Sequence, residues 1–262
     1  MAVSVAALVM WHILPLLPLF VWSFARNWNF PALLPTRWSL SPWYFAFSPS
    51  SGVLASMAES ISIAAMTTLI SLLVGIPAGR ALGLHQFKGK RFLELLFLAP
   101  VIVPGIATVL GTHWLFLNLG LTGTTWGVIL VHVVPALPYV ILVMSGAFAN
   151  YDIRLEQQAR NLGATATQTF RHETLPAMGP SIAVAALFAF LVSWSQYILT
   201  LVVGSGHIIT LPLLLFNFVA AGRNDLMGAI AVIYIVPCAA LLLLISRYVS
   251  GRSASVMEFT RP

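Results

Sequence analysis

Glu94 and Asp152 enclose a long run of the chain that contains no Asp, Glu, Lys or Arg. A helix crosses the hydrocarbon core of a bilayer with about 20 apolar residues, so this run is too long for a single crossing. The segment LGLTGTT (119–125), with two glycines and three threonines, divides it in two. Charge is scarce elsewhere as well. Charged residues make up 8% of the chain and hydrophobic residues 59%, against roughly 25% charged in an ordinary globular chain. So few ionisable side chains do not cover a water-facing surface of this size. Lipid takes that place, and the sequence is that of an all-α membrane protein.

Four more crossings follow from the same argument. Residues 3–24 carry no charge and lack the basic start and A-x-A-like cleavage site of a signal peptide. They are expected to be the first span, bent by Pro15 and Pro18. The remaining spans are expected at about 60–80, 95–118, 126–148, 177–203 and 226–246, six in all, within one domain of residues 1–262. Residues 26–51, rich in Pro, Trp, Phe and Ser, are read as an external segment whose aromatics suit the interface. Residues 207–223 are apolar but short, and are expected to be re-entrant or interfacial.

Six spans put both termini on one side. With that side cytoplasmic, the inner segments hold ten basic residues: Arg80, Lys88, Lys90, Arg91, Arg154, Arg160, Arg171, Arg247, Arg252 and Arg261. The outer segments hold only Arg26, Arg37 and Arg223, and the positive-inside rule selects this orientation. The net charge of +6 is spread over loops and forms no stripe, which argues against a nucleic-acid partner. Cys238 lies alone in an apolar run, excluding an internal disulfide and a Cys-rich metal site.

The loop between the fourth and fifth spans reads LEQQARNLGATATQTFRHETLP over 155–176. Asp152 can cap a first short helix, on which Leu155, Ala159 and Leu162 share a face. Glu156 and Arg160 stand at i, i+4 in the order that favours an ion pair. Gly163 stops this helix. Thr165 and Gln168 form a T-x-x-Q capping box that starts a second, anchored by Phe170 and ended by Pro176. Two readings fit such a cytoplasmic helix-turn-helix: a docking surface for another protein, or an amphipathic connector packed under its own bundle.

The segment resembles the signature loop of ABC importer permeases: E-A-A, three residues, Gly, nine residues, a hydrophobic residue, any residue, Leu-Pro. Aligned on Gly163, the second alanine falls on Ala159 and the Leu-Pro pair on Leu175 and Pro176, while Ala164 and Phe170 match common choices. Gln157 and Gln158 replace the Glu-Ala pair, with Glu156 just before them, and Glu173 takes the usual hydrophobic place. WSLSPWYFAF (38–47), APVIVPGIATVLG (99–111), FLVSWSQYILTLVVGSG (190–206) and TLPLLLFNF (210–218) are also similar to permeases of the polyamine, iron, thiamine and sulfate group. The resemblance implies a type I importer in the inner cell membrane. Two permeases, identical or different, would join two ATP-binding subunits and an extracytoplasmic solute-binding protein. Glu156, Gln157, Ala159, Arg160, Gly163, Ala164, Phe170, Leu175 and Pro176 would carry the coupling to the ATPase. The solute would be polyamine-like, or another small solute such as thiamine, iron or an oxyanion.

No ATP site is expected on this chain. GLHQFKGKR (83–91) has five residues between its glycines where a P-loop has four, and Arg91 stands where Ser or Thr belongs. No cofactor or metal is expected either. His12, His113 and His132 sit in different spans without a carboxylate nearby, and are read as neutral, hydrogen-bonded packing groups. Ser193, Gln196, Tyr197 and Thr200 fall at i, i+3, i+4, i+7 of the fifth span, which the family places beside the translocation route. They are the pathway candidates, with Asn118 as a further one. An ion-coupled secondary transporter would want an intramembrane carboxylate and an internal repeat, and a membrane enzyme a clustered acid-base or metal set. The sequence offers neither.

Overall fold

The computed structural model describes residues 10–11, 14–26, 28, 35 and 37–259. The first expected span, with His12, therefore lies largely outside the described residues. In chain order the elements begin with a 3₁₀ turn at Leu14–Leu16, helix α1 at Leu17–Ser23, helix α2 at Ser41–Ala46 and a 3₁₀ turn at Pro49–Ser51. Then come α3 (Val53–Leu84), α4 (Lys90–Ile102), α5 (Gly105–Asn118) and α6 (Thr125–Ala149). The loop holds α7 (Arg154–Asn161), α8 (Ala166–Thr169) and a π turn (Phe170–Thr174). The chain continues through α9 (Leu175–Trp194), α10 (Ile198–Gly204), α11 (Leu211–Ala220) and α12 (Asn224–Phe259). Among the described residues the only extended pairing is an isolated antiparallel bridge between Ala25 and Trp38.

Four helical stretches are long and apolar enough to cross a bilayer: Val53–Leu84, Thr125–Ala149, Ala166–Trp194 and Asn224–Ser250. The third expected span is broken. Helices α4 and α5 meet at an angle of 100°, because Val103, the residue before Pro104, is forced into an extended conformation (φ −69°, ψ 136°). If this pair counts as one crossing, the described residues supply five. The fifth expected span also departs from the reading. It begins at Ala166 within the loop, and it breaks after Trp194 before resuming as α10. Pro176 does not end the loop's second helix. The π turn ahead of it widens the backbone, and the helix runs on through the proline. Helix α11, with ten residues, is too short to cross.

The chain divides into two compact units, Met1–Ile61 with Ile209–Ala240, and Ser62–Ile208 with Leu241–Pro262. In the first, Phe45 meets Phe218 edge to face. The Ser60 hydroxyl accepts a hydrogen bond from the Leu211 amide at 2.7 Å. The second unit is organised around α6, whose Ala136, Val140, Met144 and Phe148 are buried with Met178, Ala185 and Ala189 of α9. Helix α3 approaches the same core through Gly75, Gly79 and Gly83, one helical turn apart and facing Val140, Met144 and Phe148. Small residues at this spacing let two backbones close on each other, which is how helices associate where lipid supplies no hydrophobic drive.

Candidate functional site

The loop between α6 and α9 is fixed by short-range hydrogen bonds that its sequence specifies. The Asp152 carboxylate accepts from the Arg154 amide at 3.0 Å and caps α7. At the other end of α7, Gly163 adopts φ +92°. The amides of Gly163 and Ala164 donate back to the carbonyls of Arg160 and Ala159, the pair of bonds that closes a helix through a left-handed residue. The expected capping box is complete. The Thr165 hydroxyl accepts from the Gln168 amide, and the Gln168 side chain accepts from the Thr165 amide at 2.8 Å.

Glu156 gives the loop its tertiary anchor. It is 3% exposed, and its two oxygens accept one hydrogen bond each, both 2.7 Å, from the two terminal nitrogens of Arg80 on α3. The Thr174 hydroxyl, in the π turn, donates to the same carboxylate at 2.8 Å. Arg160, the partner expected from spacing, approaches only to 3.7 Å and stays exposed. The Arg80 hydrogen bonds, foremost, hold the Glu156 carboxyl below the usual carboxylate range, against the desolvation that burial brings. Thr174 and the positive charge of Arg80 and Arg160 act in the same direction. The Arg80 guanidinium also lies over the Phe148 ring, 5.6 Å from its centroid.

With Glu156 turned inward, the apolar residues of the loop face out. Leu162, at the turn, is 90% exposed, and Leu155, Phe170 and Leu175 are also exposed. Gln157, Arg160, Gly163 and Pro176 are exposed beside them, while Ala159 and Ala164 are half-buried.

The pathway candidates fall into separate places. Ser193 and Thr200 are buried, and each bonds at 2.9 Å to one ring nitrogen of the buried His132. Gln196 and Tyr197 lie in the break between α9 and α10, both half-buried. Asn118 donates from its amide to the Trp114 carbonyl at 2.8 Å within its own helix. His132 thus has the hydrogen-bonded packing role expected of it, and His113 is half-buried. Sequence reasoning did not connect Arg80 and Thr174 to the loop. Arg80 entered it only as one of the inner charges, and its partner lies 76 residues away.

Comparison with known proteins places the chain. The family model described as "binding-protein-dependent transport system inner membrane component" matches residues 71–254. The spermidine/putrescine transport system permease protein PotC of Escherichia coli K12 is 24% identical over 194 residues, 74% of each chain. The trehalose transport system permease protein SugB of Mycobacterium tuberculosis is 29% identical over 210 residues, 78% of this chain and 77% of its own. A putative 2-aminoethylphosphonate transport system permease protein, PhnV of Salmonella typhimurium, is 26% identical over 238 residues, covering 90% and 88%. A solved bacterial ABC transporter involved in import of the acidic polysaccharide alginate shares the fold, with a TM-score of 0.68, 19% identity and 94% coverage of both chains. The chain belongs to the binding-protein-dependent transport system inner membrane components, the permeases of ABC importers.

Proposed function

We propose that this permease couples ATP hydrolysis on a separate subunit to solute movement through the loop at 155–176. The observation that carries the reading is Leu162, an apolar side chain 90% exposed on a turn that two caps and a buried carboxylate hold in place. A rigid loop that buries its acid and leaves its leucines outside is better suited to receiving a partner than to packing beneath its own helices. The partner is an ATP-binding subunit, and the complex includes a second permease and an extracytoplasmic solute-binding protein. Six crossings and cytoplasmic termini put the loop on the ATP side. In that case a Lys88→Cys variant reacts with a membrane-impermeant maleimide only from the cytoplasm, and reaction from outside would refute the orientation.

Gln196 and Tyr197, at the break between α9 and α10, line the solute route, while Ser193 and Thr200 hold the break in shape. Asn118 remains a candidate for the same route. The solute is a small hydrophilic molecule, polyamine-like by the likeness to PotC, with trehalose and 2-aminoethylphosphonate as the competing classes that other relatives suggest. Uptake of the three labelled solutes by proteoliposomes holding the whole transporter separates these classes. The coupling reading is tested by Leu162→Asp. The variant should reach the membrane at wild-type level and no longer co-purify the ATP-binding subunit. Full co-purification and wild-type uptake would sink the reading.

A further inference from the structure

Two of the helices that meet at the loop are joined to it by the chain itself: α6 enters it and α9 leaves it. Helix α3 has no such connection, since its last residue precedes the loop by the whole of α4, α5 and α6. Its tie is Arg80. The guanidinium grips Glu156 with two parallel bonds of 2.7 Å, a geometry that resists rotation and shear as a single bond does not. Thr174 adds a bond from the π turn at the base of α9. A single buried carboxylate therefore joins α3, α7 and the π turn.

We propose that Arg80 is a positioning residue for transport. Acting through Glu156, with Thr174 as second holder, it makes α3 move with the loop when the ATP-binding subunits close. This rests on the coupling role given to the loop above. Loop displacement then reaches α6 and α9 along the backbone, and α3 through the ion pair. Lysine in place of Arg80 keeps the charge and loses the fork, so α3 would lag behind the loop.

The test uses the assembled transporter in proteoliposomes, with Arg80→Lys and Thr174→Val. Membrane level, co-purified ATP-binding subunit and solute moved per ATP hydrolysed are measured together. The Arg80→Lys complex should assemble and retain its ATP-binding subunits. Its solute moved per ATP should fall roughly tenfold, the size expected when a charged hydrogen bond is lost from the stroke. Thr174→Val should show a smaller fall, and the exchange Arg80→Glu with Glu156→Arg should restore part of the loss. Wild-type coupling in Arg80→Lys would overturn the proposal. So would loss of the ATP-binding subunit from that variant, which would make the pair a support of the docking face. Failure of Arg80→Lys to accumulate, with Thr174→Val transporting normally, would reduce the pair to a folding contact and overturn it as well. A wild-type chain that never binds an ATP-binding subunit is a different outcome, and it removes the coupling reading itself.

Discussion

His132 reaches the Ser193 hydroxyl with Nδ1 and the Thr200 hydroxyl with Nε2, each at 2.9 Å, from one buried ring. On an unbroken helix, positions i and i+7 lie about 10 Å apart along the axis. An imidazole with its two hydrogen bonds spans roughly 8 Å. The bridge and the break between α9 and α10 therefore belong together. The polar stripe expected on one continuous helix is instead two hydroxyls folded around a histidine. His132→Leu should leave both hydroxyls buried without that partner, costing on the order of 2–4 kcal/mol. A fluorescence melting curve of the detergent-solubilised protein should show a lower midpoint, and an unchanged one would contradict this account of the break.

Gly79 sets how closely α3 and α6 approach. A Cβ at this position would stand 2.5 Å from Met144 Cβ and 3.0 Å from the Met144 carbonyl carbon. Gly79→Val should thus force the helices apart and cost about 1–3 kcal/mol or more. Trimming the neighbour to Met144→Ala should not rescue it, because Cβ and backbone make the clash. Rescue in the double variant, read from the same melting curves, would show that the contact lies elsewhere.

Gly163 is a different kind of glycine. Nothing lies within 4 Å of where its Cβ would be, so the only penalty of substitution is its φ of +92°. Gly163→Val should strain the turn by about 1–3 kcal/mol and uncouple uptake while membrane levels hold. Asparagine tolerates the left-handed region, so Gly163→Asn should retain much more uptake. Equal uptake by both variants would show that this turn does not need its observed conformation.

Glu156 makes stability depend on pH with a defined sign. Its folded-state pKa lies below the ordinary carboxylate value of 4.5. The folded state therefore gains stability that is complete above that value and is lost as pH falls through the lower folded pKa. Melting temperatures of wild type and Glu156→Gln should differ by a constant amount at neutral pH and converge in the acid range below the ordinary value. A gap that widens on acidification would mean that Arg80 does not favour the ionised form.

Features built by neighbours in sequence were legible in it. The Asp152 cap, the Thr165–Gln168 box and the Gly163 turn each join residues within a few positions, and all three form as the residue types dictate. The ends of α3 were not legible. Charge counting marks where the apolar stretch stops at Glu59 and Arg80, whereas the helix runs from Val53 to Leu84. Arg80 stays helical because Glu156 neutralises it, and that partner becomes visible only when α3 packs beside α6. The bend at Val103–Pro104 was hidden for another reason. Its residues are as apolar as those of a straight span, and the local backbone restriction of the proline outweighs the hydropathy pattern.

The helix from Ala166 to Trp194 holds 29 residues with no loose joint at the loop. At 1.5 Å per residue it is a rod of about 43 Å. Tilting such a rod by about 5° at its loop end displaces the far end by roughly 4 Å, close to the width of a methyl group. The far end is Trp194, next to the break that His132 holds. Because the π turn carries the helix through Pro176, a small push on the loop arrives there magnified as a sideways sweep.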